Sequence, residues 1–139
     1  MAVCQSQGIL ALMNAQHTSL GYHQTESGMT DVTTCGTGSD FFVCSPEWGS
    51  QNGFVQRVDS LGIPRESCVL PGHPVRLAGS TVGSPLQLYV LSNMGNGTGQ
   101  VTVLDYWSLD IVAEIPVNGY PWDIVTHRNG QLLVVLIAR

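Results

Sequence analysis

The side chains best suited to chemistry lie at three places in the chain, each soon after a glycine. They are two carboxylates, a histidine, an arginine and two aromatic rings: Asp31, His73, Arg76, Tyr120, Trp122 and Asp123. Rings supply contact area and polar groups fix orientation, so this set suits recognition of a peptide or a sugar. The alternative is that the aspartates accept hydrogen bonds from nearby turn amides, while Trp122 packs between structural units.

A further candidate is Trp48, which lies in the long loop 45–52. An exposed ring on a polar surface can stack on a sugar or anchor a peptide. It is equally often a plug that closes a loop over the core.

Patterns for catalysis, metal binding and cofactor binding are missing from the sequence. Cys68 and His73 could form a thiol–base pair, but no recognisable catalytic frame surrounds them. The glycine-rich stretch 95–99 precedes a predicted strand, whereas a phosphate-binding loop precedes a helix. Two histidines and two cysteines could be imagined as metal ligands, but they lack the short spacing of such ligands: His17, His23, Cys35 and Cys44. We therefore expect no enzyme activity, no catalytic residue, no metal and no cofactor.

Composition excludes several classes of protein. The 139 residues are 43% hydrophobic and 11% charged, with a net charge of -5 and no lysine. Disordered chains are rich in charge and nucleic-acid binders concentrate positive charge, so we expect neither. The longest apolar run, 132–138, is too short to span a bilayer, and no secretory signal is visible, so the compartment stays open. The redox state is open for four cysteines: Cys4, Cys35, Cys44 and Cys68.

The elements that would position these residues are short strands. Runs rich in Val, Ile, Leu and aromatic residues are separated by Gly, Pro, Asn and Ser, and no stretch shows a capped helical period. Hairpin turns are predicted at 36–39, 96–97 and 129–130, where residues that tolerate positive φ separate apolar runs. The sequence predicts an all-β protein.

An internal repeat organises these strands. Residues 42–45 (FVCS) align with 89–92 (YVLS), and the strands that follow end in Val58-Asp59 and Leu104-Asp105. Turns with proline come next, at 72–74 and 119–121, and every landmark is offset by 46 to 47 residues. A partial third copy appears when 28–32 is laid over 119–124. A period in the forties with four strands per unit is typical of β-propeller blades.

We predict one domain over 1–139, made of a partial blade 1–27, a blade 28–70, a blade 71–117 and a partial blade 118–139. The strands of a blade are labelled a to d from the inner to the outer. About three blades' worth of strand is less than a closed propeller needs, so we expect either part of a longer propeller or a homo-oligomer that closes a ring. As a free edge, the apolar strand 132–137 would promote aggregation, so we expect something to cover it.

Residues 86–138 resemble the YVTN-type β-propeller repeat. The resemblance rests on LYVLSN at 88–93, GTGQVTVLD at 97–105 and IVAEIPVNGYP at 111–121. It is looser over 28–77 and weak over 1–27. The resemblance implies four-stranded blades similar to those of WD-repeat and NHL-repeat propellers, which serve as surface-layer modules, binding platforms and, less often, cofactor enzymes or lectins.

Function is then expected at the face where the d–a and b–c loops gather around the central channel. We predict a non-enzymatic binding or scaffolding module that recognises a protein or peptide there, with no nucleic-acid partner and no membrane span. One alternative is a lectin-like carbohydrate-binding protein that closes a propeller by oligomerisation. A second alternative is a fragment of a propeller subunit of an oxidoreductase.

Overall fold

The computed structural model describes residues 2–5, 9–13, 16, 19–24, 28–35, 38–47, 49–80 and 86–137. Within those ranges there are thirteen strands and no helix, hence no helix that could cross a membrane. The strands are β1 Ala2–Gln5, β2 Ile9–Met13, β3 Ser19–Gln24, β4 Asp31–Thr34, β5 Phe41–Pro46, β6 Asn52–Val58, β7 Pro64–Pro71, β8 His73–Gly79, β9 Gln87–Gly95, β10 Thr98–Asp105, β11 Ile111–Asn118, β12 Tyr120–Thr126 and β13 Leu132–Ile137.

The strands form four antiparallel sheets that follow one another in chain order. Sheet I holds β1–β3, sheet II β4–β7, sheet III β8–β11 and sheet IV β12 and β13. In each sheet, strands that are consecutive in sequence are hydrogen-bonded neighbours. Sheets II and III are therefore four-stranded blades with strands a to d in order, and the sheets that the structure describes do not close into a ring. The all-β prediction is confirmed.

The hairpin turns are made by residues with positive φ. Asn96 (φ 53°) and Gly97 (φ 73°) connect β9 to β10, and Gly130 (φ 87°) lies between β12 and β13. These are the residue types that adopt the left-handed region at least cost. The predicted turn at 36–39 includes residues 36 and 37, which lie outside the described residues.

Aspartates organise the turns between strands c and d. Oδ1 of Asp59 accepts hydrogen bonds from the amides of Leu61 and Ile63, at 2.9 and 3.0 Å. Oδ1 of Asp105 accepts them from the amides of Trp107 and Ser108, at 2.8 and 2.9 Å. These local bonds stabilise the ionised carboxylates, so the pKa values of both aspartates are lowered.

The main core lies between sheets II and III. Phe42 and Cys44 on β5 are fully buried, as are Leu88 and Val90 on β9, and they belong to one apolar cluster. A second cluster joins sheet III to sheet IV through Leu91, Val101, Ala78 and Ile124. Burying a large aliphatic side chain contributes about 1.5–3 kcal/mol, so these two seams hold the sheets in sequence.

Junction glycines position the inner strands. Gly72 (φ 81°) precedes β8 and Gly119 (φ 143°) precedes β12. The positive φ of Gly72 favours glycine there, and a Cβ would also have to displace the Met94 side chain. The register shifts after Pro74 in β8 and after Pro121 in β12, which is a bulge that aims the next residues.

Candidate functional site

Three inner strands each carry a charged residue at the equivalent position. Asp31 opens β4, Arg76 follows the bulge in β8, and Asp123 follows the bulge in β12. Within sheets II, III and IV, the residues directly opposite them on strand b are Cys44, Leu91 and Val135. The innermost strands of three consecutive sheets therefore carry a row of anion, cation and anion.

Both carboxylate oxygens of Asp31 are occupied by backbone amides. Oδ1 accepts from the amide of Val32 at 2.9 Å, and Oδ2 accepts from the amide of Leu77 in the next sheet at 2.8 Å. Burial raises the pKa of Asp31, and the two amides and the Arg76 charge oppose that rise without cancelling it. Asp31 thus joins sheet II to sheet III.

Arg76 and Asp123 form a loose ion pair. Arg76 Nε lies 3.9 Å from Asp123 Oδ1, and the two side chains are 42% and 46% exposed. Asp123 Oδ1 also accepts from the amide of Ile124 at 2.9 Å, and Arg76 Nη1 donates to the carbonyl of Val75 at 2.7 Å. Pairs this exposed contribute little to stability, so both charged groups are accessible to a ligand.

His73 and Tyr120 occupy one position in successive sheets, directly after the junction glycines. His73 Nε2 is 2.8 Å from the carbonyl oxygen of Ser50, in the loop between β5 and β6. The b–c loop of sheet II and the d–a junction of sheet III therefore meet at one end of the sheets. Both rings are half-buried.

Trp122 is the bulge residue of β12 and is 57% exposed. The corresponding bulge residue of β8, Val75, packs against the cluster between sheets III and IV. No sheet follows sheet IV in the described part of the chain, so the alternative that Trp122 packs between blades stays a prediction. Trp48 lies outside the described residues.

The cysteines offer no activated nucleophile among the described side chains. Cys35 and Cys44 are buried and form no disulfide, and Cys68 lies on β7, the outermost strand of sheet II. Burial raises the pKa of the Cys68 thiol, which disfavours the thiolate that a nucleophile requires. In the same ranges, no three His, Cys, Asp or Glu side chains are placed to hold a metal ion.

Sequence reasoning missed Arg57, the most highly connected charged residue described. It is 6% exposed, and its guanidinium lies over the rings of Phe42 (5.1 Å) and Tyr106 (4.9 Å). Nη1 is 3.2 Å from Asp40 Oδ2, and Nε is 3.3 Å from Glu66 Oε2.

Arg57 also links two sheets. Its Nη2 donates to the carbonyl oxygens of Tyr106 and, at 3.0 Å, Trp107, both in the turn after β10. The available signal was alternation along β6, because Gly53, Val55 and Arg57 share a buried face.

Among known proteins, the chain is similar in fold to solved structures. No family model matches the chain, and no curated protein matches it. Hydrazine synthase from Kuenenia stuttgartiensis is similar in structure, with a TM-score of 0.54 and 13% sequence identity over 91% of this chain. The chain spans about half of that structure, 49% of its length. At this identity the likeness concerns the fold alone, and the fold of this chain is a series of antiparallel β-propeller blades.

Proposed function

We propose that this chain is a non-enzymatic binding or scaffolding module that recognises a protein or peptide partner through its channel-face loops. The observation that carries the proposal is the Arg76–Asp123 pair, whose charged groups are partly exposed on adjacent inner strands. It lies on the strands that His73 and Tyr120 open, at the end where loops and junctions meet. A cation, an anion and rings at one end can orient a peptide backbone and seat a side chain.

The repeat character of the chain supports the same proposal. Asp59 and Asp105 cap the same turn in sheets II and III, and Gly72 and Gly119 make equivalent junctions. These landmarks fit the YVTN-type repeat, whose members include binding platforms. Stacked repeats present their inner loops as one continuous surface, which suits a partner larger than a metabolite.

The test is selection of displayed random peptides on the immobilised full chain. We expect enriched peptides that carry a carboxylate, because Arg76 is the exposed cation at this end. Arg76→Ala should weaken their binding at least tenfold in fluorescence polarisation, in line with loss of a central arginine contact. Arg65→Ala is the matched control, since Arg65 is 52% exposed on the outermost strand of sheet II, and it should leave binding unchanged.

Other outcomes distinguish the alternatives. Binding to an array of glycans without peptide enrichment would replace the proposal with the lectin-like alternative. Peptide binding that Arg65→Ala and Arg76→Ala weaken equally would show non-specific attraction to positive charge and would contradict the proposed site. The oxidoreductase alternative gains no support from hydrazine synthase, because that likeness is one of fold.

A further inference from the structure

Sheet IV has one apolar face that nothing in the described chain covers. Alternate residues of β13 face the cluster shared with sheet III, whereas Leu133, Val135 and Ile137 are 63%, 40% and 39% exposed. Val125, opposite Leu133 on β12, is 50% exposed. We call Val125, Leu133, Val135 and Ile137 the outer face of sheet IV.

The corresponding positions of the two earlier sheets are fully covered. The residue opposite the charged position of the inner strand is Cys44 in sheet II, Leu91 in sheet III and Val135 in sheet IV. Cys44 and Leu91 are each 0% exposed because the following sheet lies on them, and Val135 is 40% exposed. The outer face is therefore the same surface that makes both internal seams.

The charged position itself reaches toward the following sheet. Oδ1 of Asp31 accepts from the amide of the next residue, Val32, and Oδ2 accepts from the amide of Leu77 in sheet III. Arg76 reaches Asp123 in sheet IV. Asp123 makes the first of these two bonds, because its Oδ1 accepts from the amide of the next residue, Ile124, at 2.9 Å. Asp123 lies directly opposite Val135 on the outer face.

The bulge residue of the inner strand gives a second indication of a following sheet. Val75 in β8 packs into the seam between sheets III and IV, so the equivalent Trp122 is placed for the seam that would follow sheet IV. Trp122 is 57% exposed because no sheet in the described chain packs on that side of sheet IV.

We propose that the outer face of sheet IV is a docking surface for one further β-propeller blade, whose innermost strand donates a backbone N–H to Oδ2 of Asp123. The partner is an antiparallel sheet with an apolar face and an inner strand built like β8. Continuity with the two internal seams favours a blade over a small ligand, which would need neither four aliphatic side chains nor a carboxylate at strand spacing. The inference does not depend on peptide binding at Arg76.

The test extends the full chain at its C-terminus with a flexible linker and a second copy of residues 73–118, the sheet whose amide meets Asp31. We expect the extended chain to unfold in one transition at a higher temperature than the original chain. The emission of Trp122 should shift to the blue and resist iodide quenching, read as the difference from Trp122→Phe. Asp123→Ala should lower the midpoint of the extended chain and leave that of the original chain nearly unchanged.

Matched variants localise the contact. Val135→Glu should abolish the gain from the added sheet, because it places a charge in the new seam. Val112→Glu is the control, since Val112 is 55% exposed on β11, away from the outer face. An extended chain that gains no stability, or that fails to fold where the original folds, would overturn the proposal. A stable dimer of the original chain that Val135→Glu dissociates would also overturn it, by showing a second copy on this face.

Discussion

Two arginines at the boundaries between sheets differ in almost everything except charge. Arg57 is 7% exposed in its side chain, lies beside the rings of Phe42 and Tyr106, and has carboxylates or carbonyls against Nε, Nη1 and Nη2. Arg76 is 42% exposed, and its partner Asp123 stands 3.9 Å away. Buried charges persist only when fully paired, whereas exposed ones are held loosely and remain exchangeable. The first arginine therefore stabilises the seam between blades, and the second is available for recognition.

Arg57→Ala tests the stabilising half of this contrast and should have the largest effect. It leaves Asp40 and two carbonyls without their partner and opens a gap beside two rings, so we expect the free energy of unfolding to fall by about 3–5 kcal/mol. Arg57→Lys should recover little, because an ammonium cannot reproduce the planar fork. Urea titration followed by circular dichroism measures both.

Arg65→Ala is the control for that loss. Arg65 bonds Asp59 through Nε at 2.9 Å and Nη2 at 2.6 Å, yet it is 52% exposed. The loss should be much smaller than for Arg57 despite the better geometry. Equal losses would show that burial is not what separates the arginines.

Asp31→Ala should cost about 1–3 kcal/mol, the price of a buried amide left without an acceptor. The affected amides are those of Val32 and Leu77, so hydrogen exchange at these two positions should accelerate more than at their neighbours. Asp123→Ala in the same chain should cost clearly less. A larger loss at Asp123 would contradict the different roles assigned to the two aspartates.

The pH dependence of stability should differ in sign between Asp31, on the inner strand β4, and the two turn aspartates, Asp59 and Asp105. The lowered pKa values of Asp59 and Asp105 contribute stability at pH above their usual 3.8, and that contribution is lost as pH falls through the lowered values. The raised pKa of Asp31 acts oppositely, since its contribution is present below 3.8 and is lost as pH rises through the raised value. Urea midpoints across acidic pH for Asp59→Asn and Asp31→Asn should therefore diverge from the parent in opposite directions.

Arg76→Ala should have the smallest effect on folding, within about 0.5 kcal/mol, because the pair is exposed and loose. The main effect of Arg76→Ala should be weaker peptide binding. A thermal midpoint that falls as far as for Arg57→Ala would assign Arg76 to the structural class and remove it from the candidate site.

Elements with strong local signals could be predicted from the sequence, and features set by neighbouring sheets could not. The strands around 89–92 and 101–104 and the turn at Asn96-Gly97 follow from alternation and positive-φ residues, which act within a few positions. Burial of Arg57 depends on rings and carboxylates from distant parts of the chain, so its sequence neighbours give only the strand face. The exposure of Trp122 depends on a bulge and on which sheets pack against β12 among the described residues, and the local sequence pattern reveals neither.

The serial arrangement of the sheets has a consequence for how the molecule opens. Strand contacts join consecutive sheets, so each sheet is held by its immediate neighbours. Sheet IV has two strands and one neighbour in the described chain, which places it at the low end of local stability. Its amides should exchange with solvent through local opening of the two strands. Those of β9 and β10, which are the central strands of sheet III and lie between sheets II and IV, should exchange only when the whole structure unfolds.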